Sequence, residues 1–125
     1  MRRLVVDAAT VLAWFDSDGP GADQRRDYEA GEFAAVAPSR IHADMLAAIA
    51  RRDAPSPDRL ARIAAELPRI GIQVKDPPLT LVAGWIARGL DGDLAPYAAL
   101  AEHLDMPLDA REPILRERAR SLIID

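Results

Sequence analysis

Leu4-Val5-Val6-Asp7-Ala8-Ala9-Thr10-Val11-Leu12-Ala13-Trp14-Phe15 decides how the rest of the chain is read. Leu4 to Val6 is short, apolar and β-branched, and it stops at a carboxylate. That is the pattern of a buried strand with Asp7 at its C-terminal end. Ala8 to Phe15, rich in alanine and leucine, reads as the helix that follows. The basic start at Met1-Arg2-Arg3 is read as the approach to this strand and not as a secretory leader, because Asp7 interrupts the apolar stretch at once.

The same alternation continues outward. Asp16 to Gly21 is a loop, and Ala22 to Ala30 a polar helix closed by Gly31. Phe33 to Ala37 reads as a second strand. Ser39 is a candidate N-cap for a helix over Arg40 to Arg52. Ser56-Pro57-Asp58 starts another helix, running to about Leu67. Ile70 to Val74 is a third strand. A helix opens at Pro77 or Pro78, with Leu79, Val82, Ile86 and Leu90 at helical spacing. Leu94 to Leu104 and Glu112 to Arg120 are further helices. Met106 to Leu108 is a short strand and Leu122 to Ile124 a last one. Strands alternating with helices predict an α/β fold with a mostly parallel sheet of four to five strands, in one domain over residues 1–125.

Composition narrows the function classes. Half of the 125 residues are hydrophobic but only 5% are aromatic, so the core must be mostly aliphatic. The chain has no cysteine, which excludes disulfides and thiolate metal sites and fits a reducing cytoplasm. No apolar run approaches the ~18 residues needed to cross a bilayer, so no membrane role is expected. The net charge of −4 confines any phosphate-binding surface to a local patch. Lys75 is the lone lysine, so that patch would consist of arginines.

The acids carry the remaining signal. Ligands of open parallel sheets bind beyond the C-terminal strand ends, where Asp7 lies. Asp is also a favoured N-cap, so a capping role explains Asp7 equally well. Asp44 sits in a largely apolar helix, where an ionised acid needs a partner or a metal. The simpler partner is Arg40, four residues earlier, although that order is the less favourable one. Asp91, Asp93, Asp109 and Glu112 gather late in the chain, each explicable as a loop or cap residue. Carboxylates converging on one sheet edge would repel one another, and a divalent cation with a preference for oxygen ligands would relieve this. His42 and His103 lack zinc-ligand spacing, there is no glycine-rich phosphate loop, and Trp14 and Trp85 suit a core.

Three passages resemble the PIN domain of bacterial VapC toxins. The first is Leu4 to Phe15, with Asp7 at the position of the family's first acid and Ala9 at its usual serine. The second is Ala37 to Ile49, with Asp44 where the family normally has glutamate. The third runs from Gly89 to Leu115. There Tyr97 to Leu104 and Met106-Pro107-Leu108 follow the family pattern, Leu94 replaces its third aspartate, Ala110 its threonine, and Glu112 stands at its fourth acid.

The resemblance implies a three-layer α/β/α PIN-like domain. It further implies a metal-dependent endoribonuclease in which Asp7, Asp44, Asp93 and Glu112 are catalytic. Asp7, Asp93 and Glu112 would hold Mg²⁺ or Mn²⁺. Asp93 enters as a substitute for the acid missing at Leu94. It is also the expected cap of the next helix, which the helix-breaking Pro96 forces to start late. Arg51, Arg52 and Arg88 are candidates to hold the RNA backbone, and each is equally explained as a solvated helix-end charge. A VapB-like antitoxin and a homodimer are the implied partners. The runner-up reading, drawn from the changes at Ala9, Asp44, Leu94, Ala110 and Glu112, is a PIN-like domain that has lost catalysis and acts as a protein- or RNA-binding module. A response-regulator-like receiver also carries acids at strand ends, but no lysine stands late enough in this chain.

Overall fold

β1 (Arg2–Val6) is the strand on which the sheet is built. A computed structural model describes residues 2–124. Leu4, Val5 and Val6 are completely buried, as a central parallel strand covered on both faces requires. β2 (Phe33–Ala37) runs parallel to β1 on one side, with Val5 opposite Val36. β4 (Leu108–Asp109) runs parallel on the other side, with Val6 opposite Asp109. β3 (Gln73–Val74) extends the sheet beyond β2, giving the order β3-β2-β1-β4. The chain steps outward from β1 to β2 and β3, then crosses back to β4. The C-terminal end of β1 is therefore the topological switch point, where crevices form in sheets of this kind.

Among the described residues, seven α-helices cover the sheet in a three-layer arrangement: α1 (Ala8–Ala13), α2 (Pro20–Glu29), α3 (Ile41–Asp53), α4 (Pro57–Glu66), α5 (Leu79–Ala87), α6 (Ala95–Leu104) and α7 (Pro113–Arg118). α6 is the innermost. Ala95, Ala98, Ala99 and Ala101 are small enough to bring it close to β1 and β4, and Tyr97 and Leu100 are buried with them. α2 lies on β2 through a cluster of three aromatic rings, Trp14, Tyr28 and Phe33, with centroids 4.7–6.1 Å apart. Such tilted and edge-on contacts are favoured by the ring quadrupoles.

Several local expectations are corrected. α3 begins at Ile41, one residue after Arg40, and has no side-chain cap; Ser39 instead donates its backbone N–H to Asp76. Leu67–Ile70 forms a 3₁₀ turn in which Pro68 falls, so β3 is confined to Gln73–Val74. Leu122 to Ile124 is not a strand. Arg120–Leu122 is a 3₁₀ turn, and only an isolated bridge from Ile123 to Leu108 remains of the expected fifth strand. α5 buries only part of the stripe its spacing suggested. Val82 packs against the core and Leu90, just beyond the helix, is buried, but Leu79 is 82% exposed and Ile86 48%, and Trp85 is the helix's one buried residue. Nearly every position of this helix is apolar, so periodicity could not identify its inner side.

Gly21 sets the join between the first two helices. A Cβ there would collide with the backbone carbonyl of Ala13, whereas one on Gly84, in the middle of α5, meets open space. Gly21→Ala should therefore lower stability by about 1–3 kcal/mol through overpacking. Gly84→Ala should raise it by about 0.5–1 kcal/mol through helix propensity. Urea denaturation of the two variants beside the parent checks the pair.

Candidate functional site

Asp7 leaves β1 in an extended conformation and caps α1, its Oδ1 accepting from Thr10 N at 2.8 Å. Its carboxylate also accepts from two backbone groups of the loop after β4: Arg111 N at 3.1 Å and Glu112 N at 3.0 Å, both to Oδ2. The residue is almost fully buried. One side chain thus satisfies three N–H groups and pins three segments together. Glu112 is itself the N-cap of α7, accepting from Leu115 N at 2.7 Å. Thr10 reinforces the join, its hydroxyl donating to Asp109 O at 2.9 Å.

Asp44 lies in the first turn of α3. The Arg40 guanidinium grips both of its oxygens, Nε to Oδ2 at 2.9 Å and Nη2 to Oδ1 at 3.1 Å. The Tyr97 hydroxyl donates to Oδ2 at 2.7 Å. Burial, and then the hydrogen bond to Asp44, push the Tyr97 phenol far above its ordinary range, so it acts as a donor and not as a base. The hydrogen bond to Asp44 pushes Arg40 up as well, fixing it as a cation. Arg40 also donates through Nη1 to Gly92 O at 3.2 Å, tying α3 to the loop before α6.

These residues share one cavity of about 570 Å³ at the switch point. Asp7, Asp44, Asp91, Asp93 and Glu112 all line it, with Leu94 and Ala9 among the apolar wall residues. The sequence candidates Asp7, Asp44, Asp93 and Glu112 are therefore brought to one place. Asp109 is not, because its side chain turns to Gln24, which also accepts from Trp14 Nε1. Of the arginine candidates, Arg51 lines the cavity, Arg52 is bonded to neighbouring Asp53, and Arg88 lies over the Trp85 ring at 4.5 Å. Asp93 is not the cap of α6. That helix starts at Ala95 with Leu94 at the N-cap, which puts Pro96 at its second position, where a missing N–H costs nothing.

The resemblance to the PIN family implies a divalent cation here, and the donor set does not suit one as it stands. Asp7 has both oxygens engaged by backbone N–H groups, and Asp44 has both engaged by Arg40. Leu94 offers no oxygen. With Arg40 in place, no three carboxylate or imidazole groups among the described residues come together closely enough to hold a metal ion.

The roles of Arg40 beyond Asp44, and of Tyr97 and Thr10, were not read from the sequence. The one available signal was that a buried tyrosine hydroxyl requires a partner. Asp7→Ala would strand three N–H groups, two of them in the loop that carries Glu112. It should cost about 3 kcal/mol, with Asp7→Asn costing less because one acceptor oxygen remains. Chemical denaturation of both variants tests this order.

No family model matches the chain, and no curated protein does. Among solved structures, PAE2754 from Pyrobaculum aerophilum is similar, at 20% identity over 98% of this chain and 90% of that one, with a TM-score of 0.68. VapC20 from Mycobacterium tuberculosis, described as a toxin that cleaves the sarcin-ricin loop, is similar at 13% identity over 97% of this chain and 96% of that one, also with a TM-score of 0.68. At these identities the likeness speaks for the backbone and not for the chemistry of the site. With the parallel sheet order and the cavity at the end of β1, it gives this chain a PIN/VapC-like fold.

Proposed function

We propose that this chain is a PIN-fold binding module of the toxin–antitoxin kind, whose acidic site is neutralised from within and does not hydrolyse RNA. The observation that carries this reading is the fork from Arg40 to Asp44, completed by the Tyr97 hydroxyl. An acid held this way satisfies its charge without a metal. A guanidinium supplies no Lewis acidity and no bound water to activate. Leu94 supports the same reading, because it removes one carboxylate from the cavity wall.

The partner surface is a second groove, of about 670 Å³, between α2, α4 and the 3₁₀ turn after it. Phe15, Tyr28, Ile63 and Ile70 give it an apolar floor. Arg25 is paired with Glu29 and Arg69 with Glu66. Arg59 and Arg62 have no carboxylate within 4.0 Å among the described residues. An apolar groove edged by two such arginines suits an amphipathic acidic segment, the kind of ligand an antitoxin of the VapB type would present. The outer face of α5, with Leu79 and Ile86 exposed, suits a second copy of the chain.

One observation favours a second reading, the Mg²⁺- or Mn²⁺-dependent endoribonuclease: five carboxylates line a single cavity. On that reading Arg40 releases Asp44, the metal is held by Asp7, Asp93 and Glu112, and Asp44 completes the catalytic set. Arg51 is then the arginine best placed to meet RNA.

Incubation with a structured RNA and Mn²⁺ decides between the two. The expected result is no cleavage above that of a folded Asp7→Asn variant. Cleavage by the parent that this variant loses would establish the nuclease. For the groove, Arg62→Glu should weaken capture of a co-expressed antitoxin-type partner by about tenfold, as loss of an interfacial charge pair predicts. Arg88→Glu, outside the groove, should leave it unchanged, and calorimetry reads both affinities.

A further inference from the structure

Resting on the reading of an internally neutralised site, we propose that Arg40 is the resident cation of the acidic cavity, standing where a divalent ion would otherwise be needed. Its position is not explained by the helix it precedes. Arg40 occupies the N-cap of α3, where the helix dipole disfavours a positive charge, and makes no capping hydrogen bond. Its pairing with Asp44 also runs in the less favourable direction along the helix. Local helix energetics therefore argue against an arginine here, and the compensation comes from the cavity.

Three of its nitrogens are engaged there. Nε and Nη2 fork onto both oxygens of Asp44. Nη1 reaches Gly92 O, in the loop that carries Asp91 and Asp93. Asp93 lies close enough to favour the charged guanidinium as well. One planar cation thus draws together the acid of α3 and the acidic loop, as a metal bridging carboxylates does. It differs in chemistry. A guanidinium has no vacant coordination position, so it cancels charge and fixes the loop without activating water.

Asp44 is about one-quarter exposed and Arg40 slightly over one-third, so the pair sits at the cavity wall and not in the deep core. Removing the guanidinium should leave a folded protein in which Asp44 keeps the Tyr97 hydroxyl as its donor but shares the cavity with Asp93 without the cation that now lies between them. Such a cavity gains from binding a divalent ion.

The test is a Mn²⁺ titration of the parent, Arg40→Met and the double variant Arg40→Met/Asp44→Asn, by calorimetry and by thermal unfolding. Circular dichroism first establishes that each is folded. The expected result is no saturable binding by the parent at about 1 mM Mn²⁺, with a site in Arg40→Met at least about tenfold tighter. The melting temperature of Arg40→Met should rise with Mn²⁺, and the double variant should lose both effects. Arg40→Lys keeps the charge without the fork and should resemble the parent. Two results overturn the proposal: Mn²⁺ binding by the parent as tight as by Arg40→Met, or a folded Arg40→Met that gains no Asp44-dependent site. The second leaves the absence of RNA cleavage standing, because Leu94 accounts for it independently. Cleavage by the parent sinks the functional reading itself, so the two failures are distinguishable.

Discussion

The carboxylate of Asp7 holds the site together. Three backbone N–H groups from two distant parts of the chain converge on it: Thr10 from the helix after β1, and Arg111 and Glu112 from the loop after β4. Those groups are orphans by construction, since each lies in a helix start or a loop without a ladder partner. Burying them at a sheet edge would be costly without an acceptor. A single ionised acid satisfies all three and thereby fixes the position of Glu112, which begins α7. The same residue thus serves as a structural brace and as the deepest acid of the cavity. In this chain the bracing role engages its oxygens most fully.

From that brace follows the electrostatic problem of the cavity. Five acids line a space of about 570 Å³ at the end of a parallel sheet. Like charges at such distances raise the free energy of the folded state unless a cation or hydrogen-bond donors offset them. Donors offset Asp7, and Arg40 with Tyr97 offsets Asp44. Asp91 and Asp93 are exposed on their loop. The neutralisation of the buried acids is thus divided between backbone and side chain. A metal-dependent hydrolytic site works differently, with charge concentrated on an ion that also binds the reacting water.

Much of the architecture was legible in local sequence. β1 was visible because three apolar residues end at a carboxylate, and α4 because Ser56-Pro57-Asp58 states its start; Ser56 Oγ accepts from Arg59 N. The errors arose where local signals compete with tertiary packing. Ser39 has the chemistry of a cap, yet its backbone is held by Asp76, 37 residues away. Asp93 was the better cap by residue type, but α6 starts one residue later than that cap would give, with Leu94 at the cap position. The site was half legible. Its acids could be listed, and the Arg40–Asp44 pair was foreseeable from spacing. Tyr97 could not be assigned to Asp44, because the contact spans 53 residues and depends on how α6 packs against α3.

Fold and site are carried by different atoms in this chain. The sheet and α6 require only apolar volume: Leu4, Val5, Val6, Ala98, Ala99 and Leu100 fill the centre, and many aliphatic sequences would do the same. That tolerance accounts for a likeness to VapC20 over almost the whole of both chains at 13% identity. The cavity is less forgiving. Leu94, at the N-cap of α6, gives the wall an apolar side chain without a charge. A basic side chain one helical turn from Asp44 can then satisfy that acid alone. Each of three acids also braces the fold: Asp7 at the switch point, Glu112 at the start of α7, and Asp44 through Tyr97 between α3 and α6.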